Sequence, residues 1–395
     1  MTDTPCFRLR DYRNKRGENM FAQLIDLLNL LKDQTGLAQL SWGNVFMMLV
    51  GGTMIYLALV KKYEPFLLVG IGFACIVANV PGSGLTQPGG LFHYAYQGVA
   101  LLIVPPLIFL GVGAMTDFGP MIASPWLVIL GAAAHLGIFV ALIGAKLLGF
   151  SLAEAGAIGI IGGADGPMAI FVTMKLAPHL LPQISVAAYS YMALMPLIQP
   201  PIMKLLTTKK ERDVIMEKPR QITRLEKIAF PIIIAIVVNL FFPPIAPLIT
   251  MLMLGNLLKE CLLVDRLAKT AANEIMNIIT IVLTVAIGST MNADQFLTIK
   301  TLEIIALGLV AFVFGTASGV VAAKIMNVIS RGKVNPLIGS AGIASVPIAA
   351  RVSHMVGNRE NPQVFLIMHA MGPNLAGVFG TAISGGILLA LLGVK

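Results

Sequence analysis

The stretch Ile160-Ile161-Gly162-Gly163-Ala164-Asp165-Gly166-Pro167 sets a carboxylate, three glycines and a proline inside an apolar run from about Leu152 to Met174. A membrane helix tolerates none of these without a reason. Glycine and proline interrupt the helix and free backbone carbonyls. A charged Asp165 in hydrocarbon costs a few kcal/mol, about 2.5–3.5 on insertion scales, unless it finds a partner. A broken helix with an acidic residue at the break is how membrane proteins build cation sites. The plainer reading is a kinked core helix with a protonated Asp165.

Other oxygen-bearing residues stand at similar breaks. Asn335-Pro336-Leu337-Ile338-Gly339-Ser340 runs on through Ser345 to Arg351, and Met371-Gly372-Pro373-Asn374 interrupts the last apolar run. Tyr191 stands two turns before Gln199-Pro200-Pro201. A hard cation is held by carboxylate, amide carbonyl, hydroxyl and freed backbone carbonyls. Asp165, Asn374, Ser345, Asn335, Tyr191 and the Gly163 carbonyl form such a set. One carboxylate among neutral oxygens suits a monovalent ion that must also leave. Each residue has a second reading: Asn374 caps a broken helix, Ser345 bonds back to its own helix, and Tyr191 anchors at an interface. Thr116 and Asp117 read as caps of the next segment, His135 and His369 as hydrogen-bonded packing residues, and Glu154 as a helix start. Arg351, at the end of the second broken segment, either binds a carboxylate bidentately or snorkels to the interface.

The elements that must position these residues are read from the apolar runs. They fall at 43–60, 65–80, 93–116, 125–149, 153–175 and 183–203, then at 228–243, 245–260, 272–290, 301–326, 336–350 and 363–391. Between the two sets lies a basic stretch, 207–227, carrying Lys209, Lys210, Arg212, Lys218, Arg220 and Arg224. Three motifs recur in order at an offset of about 175–180 residues, as in a duplicated chain. Gly113-Ala-Met-Thr-Asp117 pairs with Gly288-Ser-Thr-Met-Asn292, Asp165-Gly-Pro167 with Ser345-Val-Pro347, and Ala193-Leu-Met-Pro196 with Ala370-Met-Gly-Pro373. If 153–175 and 336–350 are re-entrant, each half crosses five times and the second half is inverted. The predicted fold is an all-α polytopic membrane protein of two inverted repeats, whose broken, re-entrant helices meet at mid-membrane. Residues 1–41 form a polar tail and interfacial helix, 42–206 the first repeat, 207–227 a basic cytoplasmic linker and 228–395 the second repeat. One half is expected to move against the other about the mid-membrane sites.

Composition agrees. Of 395 residues, 57% are hydrophobic and only 12% charged, half the charged share of a soluble domain, which is about 25%. The net charge of +9 gathers in short loops, the positive-inside pattern, so nucleic acid is not a partner. Cys6, Cys75 and Cys261 show no paired spacing, and the five histidines show no HExxH. No signal peptide is expected in the basic first nineteen residues. Met20 is a candidate start, and Phe21 to Leu31 reads as an interfacial helix.

The residues alone imply a cation-coupled transporter of an anionic substrate. A family resemblance sharpens this. Gly111-Val-Gly-Ala-Met-Thr-Asp-Phe-Gly-Pro120, Gly159-Ile-Ile-Gly-Gly-Ala-Asp-Gly-Pro167, Tyr189-Ser-Tyr-Met-Ala-Leu-Met-Pro-Leu-Ile-Gln-Pro-Pro201, Asn335-Pro-Leu-Ile-Gly339, Ala349-Ala-Arg-Val-Ser353 and Met368-His-Ala-Met-Gly-Pro-Asn374 resemble the β subunit of the sodium-pumping, biotin-dependent decarboxylases. The resemblance covers about Trp42 to the C-terminus.

It implies a primary pump in a bacterial cytoplasmic (inner) membrane. The subunit decarboxylates carboxybiotin carried on a partner, exports Na⁺ and consumes an external proton. The implied partners are a carboxyltransferase (α) subunit, a biotin carrier, a small single-span γ or δ subunit and further copies of the β chain. Asp165 and Asn374 match family Na⁺-site positions. Tyr191, Asn335 and Gly339 match positions linked to a second site or the proton path, and Arg351 matches the arginine near the carboxybiotin entrance. The family often reads Gly-Val-Ser-Ala-Val-Pro where this chain has Gly342-Ile-Ala-Ser-Val-Pro347, so the hydroxyl has moved by one residue. The short 81–94 segment leans toward an acyl-CoA decarboxylase over the oxaloacetate enzyme. The other reading is a secondary Na⁺/organic-anion transporter on a similar scaffold.

Overall fold

The computed structural model describes residues 35–36 and 38–393. The polar tail, the expected 21–31 helix and Met20 lie outside them. The chain is helical throughout the described residues. Helices α1 (Trp42–Val60), α2 (Pro65–Ala78), α3 (Leu91–Ala100) and α4 (Val104–Met115) open it. Then come α5 (Gly119–Ala123), α6 (Val128–Ala134), α7 (Leu136–Leu147), α8 (Leu152–Gly159), α9 (Gly166–Leu176) and α10 (Leu181–Leu206). The linker holds α11 (Lys209–Arg212). Beyond it lie α12 (Arg224–Phe241), α13 (Ala246–Glu260), α14 (Asp265–Thr270), α15 (Met276–Ser289), α16 (Ala293–Phe296), α17 (Ile299–Ile329), α18 (Ile348–Glu360) and α19 (Ile367–Leu392).

Local chemistry sets the boundaries. Ser41, Ser151, Thr208 and Thr223 each close a capping box with the residue three positions on. Prolines open α2, α4 and α9, where a missing N–H costs nothing. Pro105 and Pro106 also explain a break the apolar pattern hid: α3 and α4 meet at 72°, with Leu102 at φ 58° between them. Pro196, Pro200 and Pro201 lie inside α10, which bends by 61°.

Five described helices are long and apolar enough to cross a membrane, or seven if each bent pair counts as one. That is fewer than the ten expected crossings. Helices α2 and α13 have 14 and 15 residues, a rise of about 21–23 Å at ~1.5 Å per residue, against roughly 30 Å of hydrocarbon. The apolar pattern also missed most of α18. Its sequence, Ile348 to Glu360, mixes six apolar with six polar residues and has no apolar run beyond Ile348-Ala349-Ala350.

Packing pairs the two halves. Helix α4 packs on α13 as α15 packs on α2, α1 on α2 as α12 on α13, and α10 on α17 as α19 on α6. The strongest contacts sort into two bundles, and neither is one half of the chain. The first is built from α1–α4, α12, α13 and α15. The second is built from α6–α10 and α17–α19 with the two breaks. Each bundle draws on both halves.

On one face the linker is tied to both. Arg212 and Lys204 pair with Glu360 at 3.5 and 3.3 Å, and Lys227 with Asp117 and Glu260, both at 3.5 Å. Arg220, 2.6 Å from Glu226, together with the Thr223 cap, holds that carboxyl down at about 2.

Candidate functional site

Two breaks meet in the middle of the second bundle. In the first, the chain tightens into a 3₁₀ turn at Ile160–Gly163, passes Ala164 at φ 56°, and restarts as α9. Ala164 carries a Cβ in the left-handed region, at a cost of roughly 1–2 kcal/mol. In the second, Pro336–Gly342 forms a 3₁₀ turn, Ile343 is extended, and α18 begins at Ile348. The tips touch directly: the Ala344 N–H donates to the Gly163 carbonyl at 2.9 Å. Glycines permit this approach. A Cβ on Gly162 would lie 2.6 Å from the Gly137 carbonyl carbon of α7, and one on Gly342 2.5 Å from the Leu130 carbonyl oxygen of α6.

Asp165 is the N-cap of α9. It is buried, and its Oδ1 accepts from the Met168 N–H at 2.9 Å. An anion at a helix N-terminus meets the positive end of the backbone dipoles. The carboxylate lines a cavity of about 150 Å³ between the bundles. Tyr189, Ala344, Val346 and Val378 line it from one side, and Phe109 of α4 with Thr280 of α15 from the other.

Asn374, on α19, is wholly buried. Its Nδ2 donates to the Ala341 and Ile343 carbonyls at 3.0 and 2.7 Å and more weakly to Ser345 at 3.5 Å. Its Oδ1 is buried and has no hydrogen-bond partner among the described residues. Gln199, on α10, does the same one residue away. Its Nε2 donates to the Ser340 carbonyl at 2.9 Å, and its Oε1 is buried and unpartnered. Two amide oxygens left bare beside a backbone turn are the donor type a small hard cation takes. Gln199 was missed in the sequence because glutamine beside two prolines reads as a helix end.

The remaining predicted residues are placed as follows. The Gly163 carbonyl is at the crossing but already accepts from Ala344 and, at 3.3 Å, from Thr381 Oγ1. Thr381 in turn meets His135 Nε2 at 2.7 Å, a network the sequence did not reveal. Ser345 is not brought to the Asp165 cavity. Its hydroxyl donates to Met195 Sδ at 2.9 Å, and Ala344 lines the cavity instead. Alternate side chains of extended backbone point to opposite sides, so moving the hydroxyl by one residue turned it away.

Tyr191 faces α17, with its hydroxyl on the Ile305 carbonyl and its ring 5.4 Å from Phe312. Tyr189, two residues earlier and about 200° around the helix, is the tyrosine at Asp165. Asn335 is buried at the start of the second break. Its Nδ2 donates to the Arg212 and Val214 carbonyls of the linker at 2.8 and 2.9 Å, and its Oδ1 caps the Leu337 N–H. Gly339 presses against Gly319 of α17, backbone on backbone.

Arg351 is exposed on the first turn of α18. It stands in the field of Glu64, whose carboxyl is pushed up by burial and pulled down by the guanidinium. Glu154 closes a capping box and meets His179 at 2.9 Å. Asp117 accepts from the Gly119 N–H at 2.9 Å. No cluster of three His, Cys, Asp or Glu side chains occurs among the described residues.

An acidic helix cap where two broken helices meet, with bare amide oxygens held against the second break, suits an ion-translocating membrane protein. Residues 43–392 match the family described as the Na⁺-transporting oxaloacetate decarboxylase beta subunit. The chain belongs to this family. It is 55% identical over 376 residues to the glutaconyl-CoA decarboxylase subunit beta of Acidaminococcus fermentans, covering 95% of this chain and 100% of that one. It is 53% identical over 373 residues to the methylmalonyl-CoA decarboxylase subunit beta of Veillonella parvula, covering 94% and 99%. It is 45% identical to the probable oxaloacetate decarboxylase beta chain of Vibrio cholerae, covering 92% and 98%. Membership in this β-subunit family favours the decarboxylase reading over the secondary organic-anion transporter.

Proposed function

We propose that this β subunit is a primary Na⁺ pump driven by decarboxylation of carboxybiotin. Na⁺ enters from the linker face and is held by Asp165, the Asn374 amide oxygen and nearby oxygens. Carboxybiotin, delivered on a carrier by a carboxyltransferase partner, docks its carboxylate at Arg351. A proton from the opposite face neutralises Asp165, Na⁺ leaves, and a proton is consumed as carboxybiotin becomes biotin and CO₂. Tyr191 remains a candidate for the proton path in another state of the cycle. So does Asn335 for a second ion site, with Ser345 a ligand only if the second break rotates. The division into repeats at 42–206 and 228–395 about a cytoplasmic linker belongs to this reading and is supported by the matched helix pairings. A small single-span γ or δ subunit, further β copies and a bacterial inner-membrane location complete it. The relatives named for acyl-CoA substrates are more similar than those named for oxaloacetate, which supports an acyl-CoA decarboxylase complex.

The observation that carries the proposal is the buried Asp165 cap on the first break and, against the second, an Asn374 amide oxygen unpartnered among the described residues, where the two breaks touch. The test is CO₂ release from a carboxylated carrier in proteoliposomes, with ²²Na⁺ followed in parallel. Asp165→Asn is expected to abolish Na⁺-dependent decarboxylation. Normal Na⁺ activation in that variant would sink the assignment.

A further inference from the structure

Between Asp165 and the face opposite the linker, the structure leaves a line of hydroxyls with nothing to bond. Thr173 Oγ1, Ser185 Oγ and Tyr189 Oη are all buried and have no hydrogen-bond partner among the described residues. They share one seam. A Cβ on Gly166 would strike the Tyr189 ring, so the face of α9 that carries Gly166 meets α10. Thr173, seven residues on, lies on that same face. Ser185 stands one turn before Tyr189 on α10 and shares its side. Ile170, Leu181, Val186 and Tyr189 pack with Leu283 and Ile287 of α15, so the seam also lies on the boundary between the bundles.

Each end opens. The inner end is the Asp165 cavity, which Tyr189 lines. The outer end is a vestibule of about 700 Å³ lined by His93, His179, Gln183, Asn292 and Lys300, among others. It lies where α10 begins, and the linker lies where α10 ends.

Buried hydroxyls without protein partners are satisfied by ordered water. We propose that the α9–α10 seam is a proton wire from the outer vestibule to Asp165, with Thr173, Ser185 and Tyr189 as its relay and positioning groups. Each hydroxyl accepts a proton on its oxygen and passes its own hydrogen inward. The wire ends with a neutral Asp165 carboxyl, no hydroxyl changes its net state, and the proton comes from vestibule water. The titratable groups facing the seam are Asp165 and Tyr189. At its mouth stand Glu154, His179, His93, Tyr96 and Lys300. Lys175 is occupied over the Phe171 ring at 4.9 Å, and Tyr191 faces α17 instead. This inference rests on the proposed pump and adds the route by which the proton arrives.

The test uses the complete complex in liposomes, linker face outward, with a pH dye in the lumen and a carboxylated carrier outside. Thr173→Val keeps the shape and removes the hydroxyl; Ser185→Ala does the same at the next position. Each is expected to slow luminal alkalinisation and turnover by about a hundredfold, the lower end for a lost proton-transfer group. The Na⁺ concentration for half-activation stays at the wild-type value. Thr173→Ser, which restores the hydroxyl, is expected to keep wild-type rates.

A dry seam gives the opposite result. Removing an unpaired buried hydroxyl then raises the melting temperature and leaves alkalinisation untouched, which overturns the wire. So does equal loss in Thr173→Ser and Thr173→Val, since that marks a packing role. Wild-type protein that decarboxylates without Na⁺ would sink the pump reading alone. Luminal alkalinisation that depends on Thr173 would still support the wire in that case.

Discussion

Asp165 and Asn374 were legible because each sits where chain chemistry contradicts its surroundings. A carboxylate beside Gly-Pro and an amide beside Gly-Pro have no place in a continuous apolar helix. What the sequence could not give was the direction in which side chains point near a break. Tyr189 and Tyr191 are both tyrosines on one helix, and only the packing of Gly166 decides which meets Asp165. Ser345 followed the internal repeat yet turned toward Met195. This parity gives a prediction. Ala344 lines the Asp165 cavity, so Ala344→Ser adds an oxygen there. One added polar contact is worth about 1 kcal/mol, or roughly a fivefold change in affinity. The Na⁺ concentration for half-maximal decarboxylation is expected to fall about fivefold, while Ser345→Ala leaves it unchanged. Na⁺ titration of CO₂ release in both variants checks this, and an unchanged Ala344→Ser titration would remove the cavity from the Na⁺ site.

The elements were legible where a cap or an apolar run marked them; α18 was not, because Pro347 at its N-cap is followed by a mixture of polar and apolar residues with no long apolar run. Its existence depends on contacts with α19 and the second break. The closeness of the breaks to their neighbours was hidden too, since a glycine in an apolar run does not say what approaches it. At Gly162 the approaching atoms are backbone. A new Cβ would sit 2.6 Å from the Gly137 carbonyl carbon and 2.7 Å from the Ile138 nitrogen, and neither can swing aside. Gly162→Ala is therefore expected to destabilise by about 2–3 kcal/mol, near the upper range for overpacking. Gly52→Ala, on α1 with nothing within 4 Å of the new Cβ, is expected to be neutral or slightly stabilising, as Ala exceeds Gly in helix propensity. Melting curves of the two purified variants check the pair. Equal melting temperatures would mean the first break is loosely packed and free to shift.

At the scale of the whole molecule, three recurring motifs suggest a duplication, but they do not show that helices of both halves pack together in each bundle. Sequence order suggests that the halves are the moving parts. Packing assigns α12, α13 and α15 to the bundle of α1–α4, and α17–α19 to the bundle of α6–α10. The Asp165 cavity lies between these bundles, lined from both. If an ion leaves this cavity to alternate faces, the expected moving parts are the bundles, because each half has helices in both. A crosslink distinguishes the two pictures. Gly386 of α19 lies against Phe242, at the end of α12; a Cβ on Gly386 would sit 3.3 Å from the Phe242 Cβ. That is close to the Cβ separation of a disulfide, about 3.5–4.5 Å. The pair joins the bundles, yet both residues lie in the second half of the chain. With Cys6, Cys75 and Cys261 replaced, Gly386→Cys with Phe242→Cys is expected to oxidise readily and stop Na⁺-coupled turnover, with recovery on reduction. If the halves moved as units, this bridge within one half would leave turnover intact.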